Sequence, residues 1–164
     1  MNSTHQPSHP GLFRVCFVPG EYRSYLQSEK NLKPGDVVTY LRGLTKGAKA
    51  YSSVQCGPGP EDHVELNSDL LYMNHSCDPS VVVDLSSKDP SLWQIRAIKH
   101  INAGDPLTFF YPSTEWVMAQ PFECNCGSPN CLGRVEGAFS LSKAQLKDRG
   151  FINPWIWDLK LSNA

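Results

Sequence analysis

The sequence predicts a mostly β domain built from short-stranded sheets, closed near its C-terminal end by a small cysteine-rich unit. Three observations carry this. Apolar and β-branched runs of five or six residues recur at 13–18, 37–41, 81–85 and 93–98, the length of a strand rather than a helix. Between them 13 prolines and 12 glycines break the chain into turns. Three of the six cysteines, Cys124, Cys126 and Cys131, then crowd together after residue 120.

The elements follow in chain order. Residues 1–10, with His5, Pro7, His9 and Pro10, read as a flexible tail. Residues 13–18 form a strand closed by Pro19-Gly20, and 21–31 read as a loop or one helical turn. Leu32-Lys33-Pro34-Gly35-Asp36 is a turn feeding the strand at 37–41. Residues 43–49 are basic and flexible, and 63–66 alternate like a strand. Strands at 81–85 and 93–98 flank a polar loop. Ile101-Asn102-Ala103-Gly104-Asp105 then echoes the turn at 32–36, a shared turn type rather than a repeat. Residues 140–149 read as a short helix, with Ser140 or Ser142 as its cap and Gly150 as its stop. Phe151, Ile152, Trp155, Ile156 and Trp157 carry enough apolar area that the tail should dock on the body. The expected divisions are 1–10, 11–120, 121–139 and 140–164.

Composition excludes several classes. A chain of 164 residues buries its own core without disulfides. A formal net charge of −1 gives no electrostatic case for nucleic acid or anionic membrane. No apolar run approaches a membrane span and no signal-peptide core is visible, so an intracellular protein is expected, cytoplasmic or nuclear. In such a setting tightly spaced cysteines read as metal ligands before disulfides.

Three stretches bear chemistry. Cys124-x-Cys126-x4-Cys131, bent by Gly127 and Pro129, offers three corners of a tetrahedral zinc site; three free thiols or a local disulfide are the alternative. The fourth ligand is open among Cys16, Cys56 and Cys77. Asn74-His75 follows the apolar run 70–73, which suggests a buried polar network needing partners, although a lone histidine is often only a hydrogen-bonded core residue. Phe109, Phe110 and Tyr111 close an aromatic strand whose plain reading is packing.

Together the three resemble the SET-domain family of S-adenosylmethionine-dependent lysine methyltransferases. Asn74-His75-Ser76-Cys77-Asp78-Pro79 is similar to the family's Asn-His-Ser-Cys-x-Pro signature, with Ser80 where Asn is usual. Residues 104–111 resemble its Gly-Glu-Glu-Leu-Thr-Phe-Asp-Tyr strand, and Cys124-Asn125-Cys126-Gly127 through Cys131 and Gly133 resembles its post-SET zinc segment. The resemblance implies a SET fold with a knot-like crossing and a zinc-bound post-SET unit. It implies one structural zinc on Cys77, Cys124, Cys126 and Cys131, and S-adenosylmethionine on Asn74, His75, Tyr111 and Leu132. Tyr111 becomes the catalytic tyrosine, and Tyr72, Phe109 and Trp116 line the substrate channel. The implied reaction is methylation of a lysine amine on a protein or peptide, without direct nucleic-acid or membrane binding.

The chain departs from that pattern before residue 32. Where the family has Gly-x-Phe-Ala, this sequence has Tyr25, Gln27 and Ser28 at the aligned positions, and Phe110 replaces an acidic residue. The substrate-reading region at 40–62 is short, which points to minimal selection or to an accessory protein. Two other readings go with these departures: a SET-like binding module without methyl transfer, and a SET-like enzyme acting on a non-protein small molecule.

Overall fold

A computed structural model describes residues 5–163. Its strands are β1 (Phe13–Cys16), β2 (Tyr25–Ser28), β3 (Val37–Tyr40), β4 (Thr45–Gly47), β5 (Ser53–Gln55) and β6 (His63–Glu65). They continue with β7 (Asn74–His75), β8 (Val81–Asp84), β9 (Gln94–Ala97), β10 (Pro106–Phe109), β11 (Phe122–Glu123) and β12 (Arg134–Val135). Helices α1 (Lys143–Lys147) and α2 (Pro154–Ser162) end the chain. The mostly β expectation agrees with this architecture.

The sheet that positions the site has the order β1-β2-β10-β7. Phe13, Leu26 and Leu107 are fully buried on its inner face. β10 is the pivot of this sheet. Its first half pairs antiparallel with β2, Leu107 opposite Leu26, and its second half pairs in parallel with β7, Thr108 opposite Asn74 and Phe109 opposite His75. Two segments far apart in sequence are thereby set side by side. Two further sheets, β3-β9-β8 and β4-β6-β5, pack around the same core.

The echoed turns form a pair. Leu32 and Ile101 bridge each other through two backbone hydrogen bonds, 2.8 and 2.9 Å. In each turn the aspartate, Asp36 or Asp105, accepts from a backbone N–H three residues earlier at 2.8 Å. Gly35 and Gly104 have φ of 95° and 101°, a region costly for other residues.

Three expectations need correction. Residues 25–28, expected within a loop or helical turn, form β2, because pairing on both sides by β1 and β10 overrides weak local propensity. The stretch expected to be flexible at 43–49 contains β4, paired with β6. The expected tail is docked at 5–10: His5 and the Ser8 backbone N–H meet the Asp69 carboxylate at 3.1–3.2 Å, and His9 packs on Phe13. Residues 1–4 of that tail, and residue 164, lie outside the described residues.

Ser142 caps α1 with a reciprocal capping box to Gln145, satisfying orphan N–H groups at the helix start. The aromatic tail docks as the helix α2, with Trp155 and Ile156 buried. Asn153, fully buried, accepts from the Leu85 N–H and donates to the Val83 and Ser113 carbonyls. That one side chain stitches the tail to β8 and to the turn after Tyr111.

Candidate functional site

The four cysteines expected as metal ligands come together in space. The sulfurs of Cys77, Cys124, Cys126 and Cys131 all lie within 4.8 Å of one another, with Cys77 and Cys124 3.9 Å apart. A tetrahedral zinc with Zn–S of about 2.3 Å needs sulfur–sulfur edges of about 3.8 Å. The four thiols fit a tetrathiolate zinc, and Cys16 and Cys56 stand outside the cluster. Burial pushes the Cys77 thiol up. For Cys126 burial opposes ionisation, but hydrogen bonds from the Ser128 hydroxyl and backbone N–H prevail and bring it down to about 6.

Backbone and ring donors surround the Cys77 sulfur. The Leu132 N–H donates to it at 3.3 Å, and His75 Nε2 lies 3.3 Å away. His75 Nδ1 accepts the Tyr111 N–H at 3.1 Å. Burial, then the nearby Arg149 charge, lowers His75 to about 4, so the ring is neutral at pH 7. With Nδ1 accepting, the single ring proton sits on Nε2, aimed at the thiolate. His75 thus joins the metal cluster to the backbone of Tyr111.

Tyr111 follows β10 in a single turn of 3₁₀ helix (Tyr111–Ser113). Its hydroxyl donates to the Met73 carbonyl at 2.9 Å. Burial, and secondly the charge of Glu115, push its phenol up, so it stays protonated at neutral pH. Phe109 and His75 pack on its ring at centroid distances of 4.8 and 5.2 Å, and Phe122 of β11 covers both His75 and Tyr111. Asn74 donates to the Ser24 carbonyl at 3.0 Å, tying β7 to the loop ahead of β2.

The expected channel residues separate. Phe109 belongs to the aromatic group around Tyr111, whereas the Tyr72 ring packs on Phe17 at 5.7 Å. The Trp116 backbone N–H donates to Gln55 Oε1, and Lys160 lies over its ring at 5.2 Å. Leu132 is half-buried and packs on the core, with its backbone N–H on the Cys77 sulfur.

Sequence reasoning missed Glu115, 8% exposed. Its carboxylate accepts from the Gln55 N–H at 2.9 Å and the Thr114 hydroxyl at 2.7 Å. Burial nevertheless prevails and pushes it up to about 7. An unfolded glutamate loses its proton near 4.5, so between those pH values the native state holds the extra proton. Glu115 therefore costs stability progressively as pH rises from 4.5 to 7, by about 3 kcal/mol over the span. Glu115→Gln should raise unfolding stability at pH 8 by about 1–3 kcal/mol and change little at pH 4.5. Denaturant melts of both proteins at the two pH values decide this; equal differences at both would refute it.

Residues 24–112 match the SET domain family model. The chain belongs to the SET-domain family. Its relatives include the methyltransferase flvH of Aspergillus flavus, 41% identical over 155 residues, covering 94% of this chain and 84% of that protein. The H3 lysine-36-specific histone-lysine N-methyltransferase of Emericella nidulans is 36% identical over 168 residues, covering 88% of this chain but 17% of its own length. Among solved structures, that of KRYPTONITE in complex with mCHG DNA and SAH superposes with a TM-score of 0.50 at 21% identity, over 68% of this chain and 26% of that one; it bears on the fold alone. Family and named relatives make this SET domain an enzyme of the methyltransferase class. Among the described residues, no helix is long and apolar enough to cross a membrane.

Proposed function

We propose that this SET domain transfers a methyl group from S-adenosylmethionine to an amine, with the side chain of a protein lysine as acceptor. The observation that carries the reading is the hydrogen bond from the Tyr111 hydroxyl to the Met73 carbonyl, immediately before Asn74-His75. That bond spends the phenol proton on the protein and turns the oxygen lone pairs away from Met73. A tyrosine oxygen so held can accept weak C–H···O contacts from an electron-poor methyl group. Neutral Tyr111 does not serve as a base; it aligns donor and acceptor for in-line transfer.

S-adenosylmethionine supplies the methyl group as a sulfonium, and the chain's part is to hold and orient it. Asn74, fixed on Ser24, and the β7 backbone at His75 would hold it, with Leu132 beside the adenine. Both His75 ring nitrogens are engaged, so its contact runs through backbone and ring face. Phe109, packed on the Tyr111 ring, would line the acceptor channel. Burial there disfavours the acceptor's ammonium form and so favours the attacking free amine. A zinc held by the four cysteines would be structural, since thiolates would take all four positions and leave none for substrate.

A second acceptor is favoured by one observation. The region 40–62, where a peptide would be read, is short, and the match to the methyltransferase flvH runs over 94% of this chain and through that region. A small-molecule amine is the corresponding acceptor.

Titration calorimetry with S-adenosylmethionine, followed by transfer of labelled methyl to histones and to free small amines, tests both. Saturable binding with histone labelling supports the lysine reading. Labelling of free amines alone moves the acceptor to small molecules. Binding without any transfer leaves a binding module, and no binding at millimolar cofactor defeats the enzyme reading.

A further inference from the structure

A divalent ion held by four thiolates is a dianion, and Cys77 is the buried member of the set. His75 Nδ1 accepts the Tyr111 N–H, so the ring carries a single proton and brings no charge to the cluster. Lys99 and Arg134, the cations on neighbouring segments, are already paired with Asp78, Glu123 and Glu136.

Arg149, just beyond α1, is 6% exposed. Its Nη1 donates to the Cys77 carbonyl at 2.8 Å, its Nε donates to the Gln145 carbonyl at 3.1 Å, and its guanidinium lies 5.0 Å from the Phe110 ring centroid. No ion pair among the described residues involves Arg149. Buried charges are nearly always paired, because carbonyls and a ring face compensate a lost hydration shell only in part. A cation buried without a carboxylate, bonded to the backbone of a thiolate ligand, fits a negative partner that arrives with the metal.

We propose that Arg149 is the counter-charge of the Cys77, Cys124, Cys126 and Cys131 site, so that metal loading and docking of the C-terminal helical segment are coupled. The coupling rests on the zinc reading above. Loading zinc creates the negative charge that makes burial of Arg149 favourable, and Arg149 carries α1 with it through Gln145 and the Ser142 capping box. Arg149 acts through the metal ligands and has no part in methyl transfer.

Competition of the full chain against a chromogenic zinc chelator tests the charge. Arg149→Met should weaken zinc retention by about 10–100-fold, the usual cost of losing a group that supports metal ligands. Arg149→Lys, which keeps the charge on a different donor geometry, should lose much less. An Arg149→Met affinity within about twofold of wild type, or an Arg149→Lys loss as large as that of Arg149→Met, overturns the assignment. A wild-type chain that copurifies without zinc would instead overturn the zinc reading itself. Hydrogen exchange of the wild-type chain needs no variant to fold. On chelation, amides at 143–162 should lose protection while those of β1, β2 and β10 keep theirs, and unchanged protection at 143–162 overturns the coupling.

Discussion

Tyr111→Phe is expected to bind S-adenosylmethionine within about twofold of wild type while its turnover falls by at least about a hundredfold, the scale for removing one preorganised polar contact at a reacting centre. The split follows from geometry. The ring keeps its packing against Phe109, His75 and Phe122, so the pocket wall survives. Only the oxygen is lost, and with it the bond to the Met73 carbonyl, which costs about 1 kcal/mol of stability. Because the phenol is pushed above its ordinary range, its ionisation should leave no inflection in the rate between pH 6 and 9. Calorimetry and single-turnover methyl transfer on the same preparation measure both halves. An unchanged rate would remove Tyr111 from its assigned role.

Cys77→Ser should abolish zinc binding and cost at least about 4 kcal/mol, toward the far end of single substitutions, because structural zinc contributes its binding energy to folding. Besides the metal, the segment it anchors is held by Phe122 on His75 and Tyr111 and by the buried Val135. β11 and β12 are two residues each, and a pair of that size is not stable alone. Their closure adds a Cys124 N–H to Gly133 carbonyl bond and surface ion pairs of Arg134, which contribute little. Zinc stoichiometry by atomic absorption should fall from about one to near zero, with new protease cleavage between residues 121 and 137. Cys56→Ser, outside the cluster, is the control and should keep its metal. Retention of zinc by Cys77→Ser would assign the fourth ligand elsewhere.

The candidate site was legible to the extent that its parts are local. Cys124, Cys126 and Cys131 sit close enough in sequence that a bent loop must gather them. The two Gly-Asp turns announce themselves by composition, and the structure pairs them through Leu32 and Ile101. β2 was not legible, because Tyr25, Gln27 and Ser28 have neither the alternation nor the β-branching of a strand. They are extended because β1 and β10 flank them. The docked segment at 5–10 was hidden for the same reason: its partner, Asp69, lies some 60 residues on.

What the sequence determined by itself is the inventory: a mostly β chain, three clustered cysteines able to hold a metal with the fourth ligand open, and an Asn-His pair and a tyrosine in a recognisable order. Tertiary structure alone decided how they act on one another. The parallel pairing of β7 with β10 points His75 at Cys77 on one side and Tyr111 on the other, and leaves Trp116 outside that group. Docking of the segment after α1 brings Arg149, 72 residues away along the chain, onto the carbonyl of Cys77. Such contacts depend on burial and on partners from distant strands, and neither local spacing nor residue type encodes them.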